Sequence, residues 1–305
     1  MLGLPKVIAK FNPIQVSVLK FIKIVRPYYN QLAKEFRFRR NYHELKVSDT
    51  VIIACMLARI DMHEVSEAQF HRELVASGIL IPERTRYNRR CRQLTLALKI
   101  IRIWMLKQYQ QSCAYEIIDS APITLVSARR SNRAKVLRGI ANKGYNATKQ
   151  LYYYGFKLHA VMSNDGYFTD WELTPASVDD RKVTIELLRE APAKYVLADG
   201  GYLSRPQQQR LRQEFGIHLW FPLRKNMRRN GQVNSSLLKN QRRHIETQFN
   251  NLNTVGHFEH PETSTMSGLD SRLSTLFLWN VIHVHQQLEQ GLSGLKINAR
   301  EILRN

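Results

Sequence analysis

Three carboxylates, Asp119, Asp199 and Glu246, stand almost alone in long stretches that are otherwise free of acid. Residues 117–164 and 191–258 carry only Asp119, Asp199, Glu214 and Glu246 as acids, against 19 Lys and Arg. A surface of that charge suits a polyanion, and a carboxylate set into it repels that ligand unless it holds a cation or does chemistry. Three such oxygen donors suit a hard cation such as Mg²⁺, which takes one or two carboxylates and completes its octahedron with waters and substrate phosphates. Two such ions, roughly 3.5–4 Å apart, clamp the attacking and leaving oxygens of an in-line phosphodiester displacement. Gly200 and Gly201, directly after Asp199, leave room for a phosphate to approach the backbone.

Each acid also has a purely structural reading. An Asp at a strand end can cap the next turn or helix. Glu246 can pair with Arg242 or Arg243 on a helix surface. Taken together, and with acids depleted around all three, the ligand reading is the stronger. The other acids fall to structure: Glu214 to a helix surface, Asp179 and Asp180 to the dipole-complementing start of a helix, Asp165 to a turn, Asp170 and Glu172 to a solvated strand face. His159 and His218 lie in strands without a partner at ligand spacing and read as structural. Tyr152, Tyr153, Tyr154 and Phe156 could stack on bases, but consecutive aromatics in a strand usually pack on both faces.

The elements that must position these residues form two groups. From residue 12 to about 110 the apolar spacing is helical, starting with Asn12 as N-cap and Pro13 at the first helical position, followed by Ile14, Val18, Leu19, Ile22 and Ile24. Ser48 and Asp49 cap a second segment, Ser66 to Gln69 reads as a capping box for a third that stops at Gly78, and Pro82 to Thr85 start a fourth. The fourth carries Arg84, Arg86, Arg89, Arg90 and Arg92. Two helices joined by a short Gly-containing turn, the second more basic, fit a helix-turn-helix that sets its second helix against DNA. An all-helical scaffold with a solvated arginine face fits them nearly as well.

After residue 110 the pattern changes to a mixed α/β order. Ala114 to Asp119 reads as a short buried strand ending at an acid. Ser127 to Gln150 is a basic loop with Arg129, Arg130 and Arg133, too poor in apolar residues for a core element. Residues 151–162 and 166–173 flank Ser163-Asn-Asp-Gly166, a hairpin signal. A helix over Asp179–Glu190, a strand Tyr195–Asp199 ending at the second acid, a helix Ser204–Phe215 and a strand Ile217–Leu223 follow. Then come the acid-free stretch Arg224–Arg243, with Lys225, Arg228 and Arg229, a helix around Glu246 and a last helix over Leu273–Leu288. In α/β sheets the active crevice lies beyond strand ends, so Asp119 and Asp199 meet if their strands are neighbours, and a crossing helix can deliver Glu246.

The bulk properties agree with a nucleic-acid partner. The chain has 305 residues, a net charge of +21 and a pI near 10.1. The apolar run Val51–Ala58 is far short of the roughly 20 residues a membrane span requires. Lys6 and Lys10 interrupt the first apolar residues, so no signal peptide is expected and the protein is expected in the cytosol or on a chromosome. Cys55, Cys91 and Cys113 are widely spaced and lack any CxxC, which argues against disulfides and zinc.

At these motifs the sequence resembles the DDE transposases of bacterial insertion sequences, and most resembles insertion-sequence family 982. The resemblance rests on Ile117–Ile123 (IIDSAPI), Tyr154–Ala160 (YGFKLHA), Leu197–Ser204 (LADGGYLS), Phe221–Met227 (FPLRKNM) and Arg242–Phe249 (RRHIETQF), five motifs in order. It implies an RNase H-like catalytic domain over 111–305 and a helical DNA-binding region over 1–110. It implies a catalytic and metal-binding triad of Asp119, Asp199 and Glu246 with two Mg²⁺ ions, for which Mn²⁺ would substitute. Asp119 would bridge both ions, and Arg242 would face the scissile phosphate or the element end. Arg84, Arg86, Arg89, Arg90, Arg129, Arg130, Arg133, Lys225, Arg228, Arg229 and Arg242 are the expected DNA contacts. The wider class often has a tyrosine and a lysine where this chain has Lys239 and Asn253, so contacts by those residues to the element end are not expected. The implied partners are double-stranded DNA, both terminal inverted repeats and target, and a second copy of the chain in a dimer or larger assembly. A DNA-binding protein without catalysis, and a nuclease that cuts without joining, remain open from sequence.

Overall fold

The computed structural model of the protein describes residues 12–36, 38, 46–110, 112–146, 150–202, 204–221 and 235–295. The chain divides into two compact units, Met1–Ile101 and Arg102–Asn305, with the division inside a helix and ahead of the 110/111 boundary expected from sequence.

The first unit is helical, built from α1 (Pro13–Glu35), α2 (Asp49–Asp61), α3 (Glu67–Ala76), α4 (Arg84–Gln93) and the start of α5 (Thr95–Tyr109). Asn12 caps α1 in a full capping box: its side chain accepts from the Gln15 amide while the Gln15 side chain accepts from the Asn12 amide, both at 3.0 Å. The buried stripe of α1 runs Val18, Phe21, Val25, Tyr29 and Leu32, and Leu19 falls outside it on the exposed side. At Ser66 only half of the expected box forms. The Ser66 hydroxyl accepts from the Gln69 amide, but the Gln69 side chain turns to Glu73 and Arg72.

Arg90 departs from its expected role. Arg84, Arg86, Arg89 and Arg92 are exposed on α4, whereas Arg90 is buried. Its guanidinium pairs with the buried Asp49 at the start of α2, donating through Nε at 2.7 Å and also through Nη2, while its Nη1 donates to the Phe38 carbonyl and the Gln93 side chain. Tyr29 Oη donates to the same carboxylate at 2.6 Å. A buried carboxylate demands a cation, and Arg90 is the arginine of α4 that faces it. Arg90→Ala is therefore expected to destabilise the helical unit by about 3–5 kcal/mol, the cost of stranding a buried charge. Arg89→Ala is expected to change stability by less than about 0.5 kcal/mol. Urea denaturation of the two variants checks this, and equal small losses would contradict the assignment.

The second unit is a six-stranded mixed sheet flanked by helices. Its strands are β1 (Glu116–Ser127), β2 (Asn142–Asn146), β3 (Leu151–Ser163), β4 (Phe168–Pro175), β5 (Tyr195–Ala198) and β6 (His218–Trp220). β1 is central, antiparallel to β3 on one side and parallel to β5 on the other, and β5 is parallel to β6. β2 and β4 share the remaining edge of β3 end to end, β2 against Leu151–Gly155 and β4 against Phe156–Met162. The strand order is β4-β3-β1-β5-β6, and the sheet is mixed and flanked by helices as expected. The hairpin between β3 and β4 turns at Gly166, whose φ of +99° suits glycine. At Gly155 an added Cβ would lie 2.0 Å from the Ile123 carbonyl oxygen, beside the irregularity between Thr124 and Val126 in β1.

Alternation along β1 sends Ile118 and Ser120 to one face, Ile117 and Asp119 to the other. On the first face Ile118, Val161, Val196 and Ala198 pack with Leu187 and Leu188 of α6 (Thr184–Leu188) and Leu211 of α7 (Arg205–Phe215). On the second, Phe168 and Trp171 of β4 stack with Phe249 of α8 (Ser235–Gly256) and Phe277 of α9 (Met266–Glu289).

The last helix begins at Met266 rather than Leu273, the strand expected from Ile217 is described as β6 alone, and three other elements differ in kind from the sequence expectation. β1 does not end at Asp119 but continues to Ser127, because the long β3 keeps pairing it. Pro122 is tolerated there because β5 has already ended, leaving β1 paired on one side only. The basic segment after β1 is not an open loop: it forms a 3-10 turn over Ala128–Arg133 and then β2. The helix expected over 179–190 is broken into a 3-10 turn, Asp180–Lys182, and α6. Among the described residues no helix is long and apolar enough to cross a membrane.

Candidate active site

Asp119 and Asp199 become neighbours through the parallel pairing of β1 and β5. The last paired residues are Ile118 and Ala198, so each acid is the next residue along its own chain. Asp119 Oδ1 accepts from the Ser120 amide at 2.8 Å, and Asp199 Oδ1 accepts from the Gly200 amide at 2.7 Å. α8 supplies the third acid. Its Arg242 donates from Nη1 to Asp119 Oδ2 at 2.7 Å and from Nη2 to Glu246 Oε1 at 2.8 Å, one helical turn on. The guanidinium thus ties the sheet acid to the helix acid, and both readings of Glu246 meet in one contact.

The two ion pairs are unequal. The Glu246 side chain is 48 % exposed, and an exposed i,i+4 pair contributes only about 0.3–0.5 kcal/mol. The Asp119 side chain is 16 % exposed, and burial pushes its carboxyl up to about 7. Arg242 and the Ser120 amide pull in the opposite direction, while the charges of Asp199 and Glu246 add to the rise.

Among the described residues no three acid, His or Cys side chains form a ready-made ligand cluster. The donor set nonetheless fits a hard divalent cation: its members are carboxylate oxygens only, and the Arg242 guanidinium shows that a cation is accommodated against both Asp119 and Glu246.

The remaining expected residues are placed as follows. Arg129, Arg130 and Arg133 are exposed on the 3-10 turn after β1. Lys225, Arg228 and Arg229 lie outside the described residues. Arg242 sits in the site itself. Glu214 pairs with Arg210 on the surface of α7, as expected. Lys239 is exposed, and Asn253 accepts from the Glu259 amide at the end of α8. Tyr153, Tyr154 and Phe156 are packed in the sheet, while Tyr152 is exposed against Tyr145. Gly201 is less constrained than its position suggested: a Cβ there would meet Asp180 Oδ2 at 3.5 Å, an ordinary contact.

Sequence reasoning missed a polar cluster beside the acids. Asp179 alone serves as the cap, accepting from the Arg181 amide at 2.9 Å. Asp180 turns inward, where Lys157 Nζ donates to its Oδ1 at 3.0 Å and Ser120 Oγ at 3.4 Å. The available signal was Lys157 itself, a charge within an otherwise apolar strand that needed an acid. His159 is fully buried, donating or accepting at Thr174 Oγ1 over 2.9 Å, and burial lowers it to about 4, so the ring is neutral.

An RNase H-like sheet with acids brought together where β5 ends, and a helix delivering a third through an arginine, is the frame of a nucleic-acid-processing enzyme. Residues 110–266 match the family model described as Transposase DDE domain, and the chain belongs to that family. It is thus a transposase-type enzyme with DNA as substrate, from a class that generally uses divalent metal ions. No curated protein and no solved structure matches the chain.

Proposed function

We propose that this protein cuts DNA at the ends of an insertion sequence and joins the freed ends to target DNA, using one carboxylate site for both steps. The observation that carries the reading is Arg242 joining Asp119 to Glu246, with Asp199 at the neighbouring strand end, within the family match. In the first step water attacks the phosphorus at the element end and the P–O3′ bond breaks, freeing a 3′-OH. In the second that 3′-OH attacks a target phosphodiester and displaces its 3′ oxygen. Both are phosphoryl transfers of the same geometry, so one site serves them.

Asp119, Asp199 and Glu246 would hold two Mg²⁺ ions, with Mn²⁺ able to substitute. When bound, such ions supply charge neutralisation and polarisation of the reacting oxygens. Asp119 supplies a rigid donor on the central strand, and Glu246 a more mobile one on α8. Arg242 orients both carboxylates and offers its positive charge to the scissile phosphate. Exposed Arg84, Arg86 and Arg89 on α4, with Arg129, Arg130 and Arg133, would hold phosphates of the end and target DNA. Arg90 leaves this set because its donors are spent inside the helical unit. Two ends must be held together, so the working form is a dimer or larger assembly, acting on the bacterial chromosome. The resemblance of the five motifs to insertion-sequence family 982 supports assigning the element to that group.

The nuclease reading is separated by a strand-transfer assay. A duplex already cleaved to expose the terminal 3′-OH is incubated with target DNA and Mg²⁺. Joined product is the expected result; cutting of intact ends with no joining would make the protein a nuclease.

A further inference from the structure

The sheet sets Asp119 and Asp199 side by side without pairing either of them across β1 and β5. Backbone pairing between β1 and β5 ends at Ile118 and Ala198, one residue before each acid. Beyond that point β1 stays paired to β3, with Asp119 opposite Ala160, while the chain after Ala198 leaves the sheet. On the face of the sheet opposite Asp119, one carboxylate bonds to the first segment and lies beside the second. Asp180 Oδ1 accepts from Ser120 Oγ, the residue after Asp119, at 3.4 Å. Asp180 Oδ2 lies 3.5 Å from where a Cβ on Gly201 would stand, two residues after Asp199.

Asp180 is itself held firmly. Lys157 of β3 donates to its Oδ1 at 3.0 Å and to the Val178 carbonyl at 2.9 Å, pinning the loop before the 3-10 turn to the sheet. Thr184 Oγ1 donates to the Asp180 carbonyl at 3.0 Å. The buried His159 ring closes the back of the cluster, its Nδ1 3.6 Å from Asp180 Oδ1. Half-buried ion pairs of this kind contribute little net stability, because desolvation offsets attraction; what they fix is geometry. Outer residues that orient metal-binding carboxylates commonly act in this way.

We propose that Asp180, backed by Lys157, is a positioning residue that braces Ser120 against the Gly200–Tyr202 turn and so sets the separation of Asp119 and Asp199. The inference rests on the carboxylate-site reading above only for its metal arm. The brace itself is a statement about the protein alone.

The test uses the full-length protein and Asp180→Ala, with Asp180→Asn as the conservative variant that keeps an acceptor for Ser120 and Lys157. In metal-free, DNA-free protein, amide exchange in peptides covering 117–121 and 198–202 is expected to quicken roughly tenfold in Asp180→Ala, with the rest of the sheet unchanged. Mn²⁺ affinity, read by titration, is expected to fall about 10–100-fold in the same variant, and by only a few-fold in Asp180→Asn. Should Asp180→Ala not fold, Lys157→Met removes the other half of the brace and is expected to quicken the same two peptides. Wild-type exchange at both peptides, or a uniform rise across the sheet that tracks a lower Tm, overturns the proposal. If Asp119→Asn leaves Mn²⁺ binding unchanged, the metal reading fails instead, while the exchange result still decides the brace.

Discussion

Replacing Arg242 by alanine is expected to lower cleavage at element ends by about 10²-fold or more at neutral pH, without a matching loss of DNA binding. Among the described residues Arg242 alone holds both Asp119 and Glu246, and it is a main force keeping the buried Asp119 carboxyl from rising above about 7. Without it, burial acts unopposed by a cation, and Asp119 is protonated over more of the neutral range. A protonated carboxyl cannot take a metal ion until it releases its proton, so proton and metal compete. The wild-type enzyme at limiting Mg²⁺ should gain activity as pH rises through about 7, and Arg242→Ala should show that rise displaced to higher pH. Arg242→Lys keeps a charge but not the planar fork, so it should hold one carboxylate rather than two and recover only part of the loss. Single-turnover cleavage at several pH values measures this. Unchanged turnover with weakened DNA binding would reduce Arg242 to a phosphate contact.

The parts of this structure that were legible in the sequence are those set by local pattern. Asn12-Pro13 announced α1, Asn164 to Gly166 announced the β3–β4 hairpin, and short apolar runs before Asp119 and Asp199 announced two strands, whose pairing the sequence left open. What was not legible depends on partners far along the chain. That β1 runs on past Asp119 follows from the length of β3, more than thirty residues later. Arg90 looks like any other arginine of α4 until Asp49 is placed beside it, and Asp180 looks like a second cap until Lys157 claims it. In both cases a like-charged or like-acid doublet hid a division of labour. One member faces solvent and the other neutralises a buried opposite charge, and only the three-dimensional contact decides which. The Glu246 reading shows the reverse: the surface pair with Arg242 expected on helical spacing is present, and the same arginine also joins that acid to Asp119.

The central claim is that the carboxylate of Asp119 carries the chemistry, and Asp119→Asn tests it with the least disturbance. Asparagine keeps the shape, and its one carbonyl oxygen can still accept from the Ser120 amide while its NH2 group gives up the Arg242 bond, a part-buried loss small enough that the fold should survive with Tm within a few degrees of wild type. It cannot carry the negative charge that a divalent cation requires. Loss of a charged donor at such a site removes several kcal/mol of transition-state stabilisation, and about 4 kcal/mol corresponds to roughly 10³-fold in rate. The decisive measurement is cleavage and joining of element-end DNA in Mg²⁺ by wild-type and Asp119→Asn proteins at matched DNA occupancy. Retained end binding with both reactions reduced by at least about 10³-fold is the expected result if this carboxylate carries the chemistry. Full Mg²⁺-dependent activity in Asp119→Asn would contradict it.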